Sequence, residues 1–330
     1  MHITDITFHR GAGLLRLCTD GAQEGWAAGA TAAAAEAIDA VYRPLLLGGT
    51  PWERERLWQR LRQAGRAAGL PPSTWGLVDI ALWDLLGKAQ GLPVYRVIGG
   101  FRDRVPAYLR GTPGVGMEAA AHEALAARDA GFWGYGFAAA GRSHADLRQL
   151  RQAVGGEFRL LCDGAGLDLE GALALGRGLE EIDAHWFAEP LRDDDLTGLQ
   201  QLADALDLPV VAGAFAGASL QLATRALSTR AVDRLRATLP TAGGITDVLK
   251  LARGAEALGL NCEIDWDRQG SPHAAAQLLA AVRNAEFFAA DPADRPGHPA
   301  LLPLALAGGE LHLPAAPGLG VQLADPTSAV

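Results

Sequence analysis

The sequence predicts an α/β barrel preceded by a smaller α+β unit, on three observations. Short apolar runs with strand character end near Arg110, Ala138, Asp163, Ala188, Ala214, Thr238, Asp265 and Ala290, at intervals of 24 to 28 residues. Helical patterns fill the intervals, and eight strands at this period favour a closed barrel over an open sheet. The first hundred residues lack the period and read as hairpin strands followed by helices.

The elements follow in order. Residues 2–9 and 13–19 read as strands around a tight turn at 11–13, Asp20-Gly21 marks a second turn, and Trp26 sits on a third short strand. Helical patterns cover 31–42 and 52–68. Pro71 and Pro72 stop what precedes them; Ser73 or Thr74 offers an N-cap, and Trp75, Val78, Leu82 and Leu85 recur at spacings of 3 and 4. Farther on, Ser143 and Asp146 look like a cap and its partner before Leu147, Leu150 and Val154. Leu196, Leu199, Leu202 and Leu206 form one helical stripe, and Ile245, Val248, Leu249, Ala252 and Ala255 another. The most informative unit is 158–191, which reads strand, turn, helix, strand. Its apolar runs 160–162 and 185–188 are each followed by a carboxylate and a turn, Asp163-Gly164 and Glu189-Pro190. Parallel barrels carry their chemistry at those carboxyl ends.

Bulk properties exclude several classes. The 330 residues are 49% hydrophobic and 20% charged, enough for a large core. A net charge of −9 without a basic cluster argues against nucleic-acid and anionic-membrane partners. Cys18, Cys162 and Cys262 are scattered and odd in number, so they read as buried thiols of a reducing compartment. The N-terminus has no signal-peptide core and no apolar run reaches membrane-span length, which gives a cytoplasmic expectation.

Several stretches carry a resemblance: "VDIALWDLLGKAQGLPVYRVIGG" (78–100), "DRVPAY" (103–108), "WFAEPL" (186–191), "GGIT" (243–246), "GSP" (270–272) and "PGLGV" (317–321). Together, and in this order, they resemble the mandelate racemase/muconate lactonizing branch of the enolase superfamily over nearly the whole chain. The resemblance implies a (β/α)7β TIM-like barrel (105–299) with an N-terminal α+β capping domain (1–104), completed by a C-terminal segment (300–330). It also implies a homo-oligomer and a divalent metal, usually magnesium, that stabilises an enolate after a base removes the proton α to a carboxylate. Such a proton is weakly acidic, so the enolate needs concentrated positive charge.

The positions that would supply this chemistry are mostly replaced. Of three carboxylate ligands, Asp163 matches, while Ala188 and Ala214 stand at the other two; Glu189 matches the next, non-ligand acid. The lysine pair of the second strand aligns with Gly136-Phe137-Ala138, the sixth-strand Asp with Thr238, and the seventh-strand His with Asp265. The eighth strand ends in Ala289-Ala290 without the expected acid, and no lysine lies between Lys88 and Lys250. The covering loop of the family is reduced to 11–13. Three carboxylates converging without a cation would repel one another, so alanine at two positions relieves a cost once metal is gone.

Each remaining candidate carries two readings. Asp163 holds a metal or acts as a base, or it caps the turn at Gly164 or pairs with an arginine. Glu189, before Pro190, is catalytic or, as the resemblance implies, binds a neighbouring basic group. Asp265, Asp267, Arg268 and His273 crowd one strand end, either as a new acid/base site or as an ion-pair network on the rim. Arg110 and Arg236, at the ends of the first and sixth strands, bind an anionic ligand or satisfy Asp163 and Asp265. Lys88 reads as structural, and Tyr135 faces either helices or barrel. The expectation is a non-catalytic binder of a small anionic metabolite, without cofactor, or an assembly partner. The alternative is a metal-independent isomerase or lyase using Asp163 and Asp265.

Overall fold

The computed structural model describes residues 1–139, 141–164, 166–192, 194–213, 220–268, 270, 272–292 and 298–324. The cap begins with an antiparallel sheet of β1 (Ile3–His9), β2 (Leu14–Thr19) and β3 (Gly25–Ala28). After α1 (Ala32–Ala37), α2 (Arg43–Leu46) and α3 (Arg54–Ala67) comes α4 (Pro72–Gln90), buried at every residue from Thr74 to Gly87. A helix apolar all round must be surrounded, and α4 is: β3 packs on one side and the barrel on another. Gly25 allows that approach, because a Cβ there would collide with the Ala81 carbonyl of α4. Helix α4 starts at Pro72, with Pro71 as its cap residue and no side-chain cap bond. The expected capping by Ser73 or Thr74 fails because proline at the first helical position already has the required φ and no N–H to satisfy.

After α5 (Val94–Ile98) the barrel follows. Its strands are β4 (Arg104–Arg110), β5 (Gly134–Ala138), β6 (Arg159–Asp163), β7 (Trp186–Ala188), β8 (Val210–Ala212), β9 (Arg234–Leu239), β10 (Asn261–Trp266) and β11 (Phe288–Ala290). Neighbours from β4 to β10 pair in parallel, and β11 pairs with β4. The sixth and seventh strands each run one residue beyond the expected ends, Thr238 and Asp265. The expected fifth end, Ala214, lies outside the described residues. Between them stand α6 (Met117–Asp129), α7 (His144–Val154), α8 (Leu169–Glu181), α9 (Leu196–Ala205), α10 (Leu220–Ser228), α11 (Ile245–Ala257) and α12 (Pro272–Ala281). Ser143 and Asp146 form the expected reciprocal cap of α7.

Among the described residues no ladder joins β10 to β11. The indole of Trp266 instead donates to the Ala289 carbonyl at 2.9 Å. Inside the barrel Tyr108, Leu161, Trp186, Ala188, Val211, Phe287 and Ala289 form one cluster, as period-2 alternation requires. Tyr135 points the other way and donates to Glu123 of α6 at 2.8 Å. Cys162 and Cys262 are buried, whereas Cys18, near the end of the central strand of the cap sheet, is half-buried.

Buried carboxylates fasten the cap to the barrel and to the C-terminal segment. Asp79 accepts from the Thr246 amide at 2.7 Å and hydroxyl at 2.6 Å. Asp247 accepts from the Trp58 and Trp75 indoles at 3.0 and 3.1 Å. Asp84 takes the Trp26 and Leu319 amides at 2.9 and 2.8 Å and pairs with Lys88. The chain beyond the barrel adds β12 (Leu306–Ala307) and β13 (Glu310–His312), the latter antiparallel to β4, before Leu319 reaches α4. No described helix is long and apolar enough to cross a membrane.

Candidate functional site at the barrel mouth

The inward faces of the strand ends enclose a cavity of about 180 Å³ lined by Tyr108, Arg110, Gly136, Asp163, Arg236 and Asp265, among others. Alternation places Tyr108 and Arg110 on one face of β4, and it places Asp163 inward on β6. At Gly136 an added Cβ would lie 2.8 Å from Cε2 of Tyr108, so the tyrosine ring fills the space a side chain there would need. Burial pushes the Tyr108 hydroxyl up to about 12, keeping it a neutral donor.

Arg236 sits between two acids. Its Nη1 lies 3.9 Å from Asp163 Oδ2 and 4.0 Å from Glu189 Oε1. Both separations exceed a hydrogen bond. Burial alone would lower this guanidinium; the carboxylates of Asp265, Glu189 and Asp163 around it favour the charged form, and its pKa is raised. Glu189 holds a left-handed backbone, φ 48°, which is strained for a non-glycine residue and fixes the turn after β7.

Arg110 bonds Asp265 and the Trp266 carbonyl, with its guanidinium 4.7 Å from the centroid of the Trp266 ring. It also reaches Asp291 at 3.4 Å, and Arg268 holds the same carboxylate at 3.2 Å. Burial, then Asp265, raises Asp291 more than the two arginines lower it. The rim on this side is therefore an ion-pair network, as one of the two sequence readings had it.

Two expectations need correction. His273 does not join the mouth: it is buried in the first turn of α12 and lines a different cavity, because that turn lies outside the barrel wall. The eighth strand does bring an acid, Asp291, one residue beyond Ala290; its place directly before Pro292 was the available signal, the same one that marks Glu189. Tyr108 was also missed, although its alternation with Arg110 was readable. Asp163 is half-exposed and pairs with Arg236, in line with one of its two readings. Among the described residues no three His, Cys, Asp or Glu side chains form a group that could hold a metal.

A capped barrel with charged side chains at its strand ends is the architecture of a small-molecule site. The model for the mandelate racemase / muconate lactonizing enzyme N-terminal domain matches residues 13–99, and the enolase C-terminal domain-like model matches 116–327. The chain belongs to the mandelate racemase/muconate lactonizing branch of the enolase superfamily. It is 31% identical over 219 residues to L-talarate/galactarate dehydratase of Salmonella typhimurium, covering 62% of this chain and 54% of that protein. It is 31% identical over 285 residues to D-galactonate dehydratase of Verminephrobacter eiseniae, covering 78% of this chain and 72% of the relative. Among solved structures, D-glucarate dehydratase of Agrobacterium tumefaciens complexed with magnesium superposes with a TM-score of 0.86 at 29% identity, over 98% of this chain and 97% of that one. The chain thus spans about half the length of the Salmonella relative.

Proposed function

We propose that this chain binds a small carboxylate, of the sugar-acid class on which its relatives are named to act, at the barrel mouth without metal. In this reading it does not perform metal-assisted α-proton abstraction. The observation that carries the proposal is Arg236: a largely buried guanidinium lines the cavity, and no described acceptor lies within hydrogen-bonding distance. A ligand carboxylate can take its two parallel N–H groups.

The donor set does not fit magnesium. That ion wants several oxygen ligands in near-octahedral array. Here Asp163 has a guanidinium beside it, Ala188 is fully buried and without a donor, and Ala214 has none by its chemistry. Gly136, packed under Tyr108, offers no base.

The test is calorimetric titration of chelator-treated protein with galactarate. Binding indifferent to magnesium, and weakened about tenfold to a hundredfold by Arg236→Ala, supports the reading. A requirement for magnesium, or metal-dependent deuterium uptake at the α-carbon, sinks it.

One observation favours the second reading: Asp163 and Asp265 line the same cavity as Arg110 and Arg236. A metal-independent isomerase would use one carboxylate to take the α-proton and the other to return it on the opposite face. Its signature is α-deuterium exchange in the presence of chelator, abolished by Asp163→Asn.

A further inference from the structure

A second cavity, of about 310 Å³, opens on the outer side of the barrel wall where β10 and β11 part. Trp266 and Phe288 form one side with their rings stacked, centroids 6.3 Å apart and planes inclined by 13°. Pro272, Leu301 and Leu304 supply further apolar wall. It shares no lining residue with the mouth. Two buried histidines stand in it: Nδ1 of His298 accepts from the Ala300 amide at 3.3 Å, whereas His273 is 3% exposed and its Nδ1 has no hydrogen-bond partner among the described residues.

We propose that this cavity is a ligand site for a neutral two-ring aromatic molecule bearing one hydroxyl group. A buried polar atom without a partner is costly in a native fold, and a ligand that pairs with it recovers that cost. The size follows from volume: an apolar cavity of about 150 Å³ holds benzene, and this one is about twice as large. The aromatic character follows from the stacked Trp266 and Phe288 rings, against which a third flat ring packs well. The hydroxyl follows from His273. Burial drives its imidazole down to about 4, so it stays neutral and offers one donor and one acceptor, which a hydroxyl can match in either sense. Neutrality of the ligand follows from Asp291, whose carboxylate borders the cavity and whose arginine partners face the mouth. An anion here would meet that carboxylate and an uncharged imidazole.

The test is calorimetric titration of the full chain with 2-naphthol, and with 2-naphthoate as the anionic counterpart. The expected result is saturable one-site binding of 2-naphthol, with 2-naphthoate at least about tenfold weaker. Leu302→Trp, at an exposed residue on the rim, should block entry and weaken binding at least about tenfold without disturbing the core. His273→Phe should weaken it roughly threefold to tenfold, the worth of one hydrogen bond, and Arg236→Ala at the mouth should leave it unchanged. No saturable binding up to millimolar 2-naphthol would overturn the proposal. So would tighter binding of 2-naphthoate, or affinity that Leu302→Trp leaves intact.

Discussion

Tyr108 lies diagonally across from Gly136 on the adjacent barrel strand, where residue 136 is in register with Arg110, so close that a Cβ on residue 136 would lie 2.8 Å from the tyrosine ring. The ring is buried and packs edge-on against Trp186 at 6.0 Å, so it has little room to yield. Gly136→Ala should therefore destabilise the protein by about 1–3 kcal/mol, the usual cost of overpacking a core. In a Tyr108→Leu background most of that cost should vanish, giving a coupling of about 1 kcal/mol or more in a double-mutant cycle by denaturant unfolding. Additive effects would mean the ring moves aside freely.

Arg236 stands where a cation would meet Asp163 and Glu189. Magnesium titrated into chelator-stripped protein should accordingly leave the melting temperature unchanged up to millimolar levels. A metal at a hundred times its dissociation constant would add about 2.7 kcal/mol and raise the midpoint visibly. A saturable rise that Asp163→Ala removes would show that these residues rearrange into a metal site.

Much of the architecture was legible because it is periodic. Strand ends recur every 24 to 28 residues, and Ser143 with Asp146 announces α7 locally. Asp163 and Glu189 were visible because turns follow them. What escaped depends on distant partners. Asp79 and Thr246 are 167 residues apart, and no local pattern shows that the carboxylate is buried in a cap–barrel joint. His273 is near Asp265 in sequence, yet only Asp265 and Arg268 line the mouth, while His273, in the first turn of α12, lines the second cavity. Asp291 lies one residue past the apolar run of β11, so the periodicity that marks the strand does not include it.

Asp79 should make the protein less stable as pH rises. Burial pushes its carboxyl up to about 7, against 3.8 when unfolded, despite the bonds from Thr246. Below about pH 4 both states hold the proton and the group contributes no difference. Between about pH 4 and 7 only the folded state keeps it, so stability falls with pH, by on the order of 4 kcal/mol across the window. Asp79→Asn removes the titration. Unfolding free energies from pH 4 to 7 should show the variant gaining on the wild type as pH rises; a constant difference would mean Asp79 is ionised throughout.

Glu286 works with the opposite sign at the other end of the barrel. Burial would raise its carboxyl, but the hydrogen bonds from His185 at 2.7 Å and Arg234 at 2.8 Å outweigh that and hold it at about 2. A depressed acid contributes stability that is fully present above its unfolded value of 4.5 and is lost as pH falls toward 2. Arg234 also bonds Glu263 at 3.0 Å, so removing one carboxylate leaves the arginine paired but less well neutralised. Glu286→Gln should thus be destabilising at neutral pH, and its deficit should shrink as pH drops from about 5 toward 2. Denaturant unfolding at several acid pH values reads that convergence directly. A deficit that stays constant down to pH 2 would assign the loss to packing rather than charge, and would leave the network around Arg234 without the role in stability given to it here.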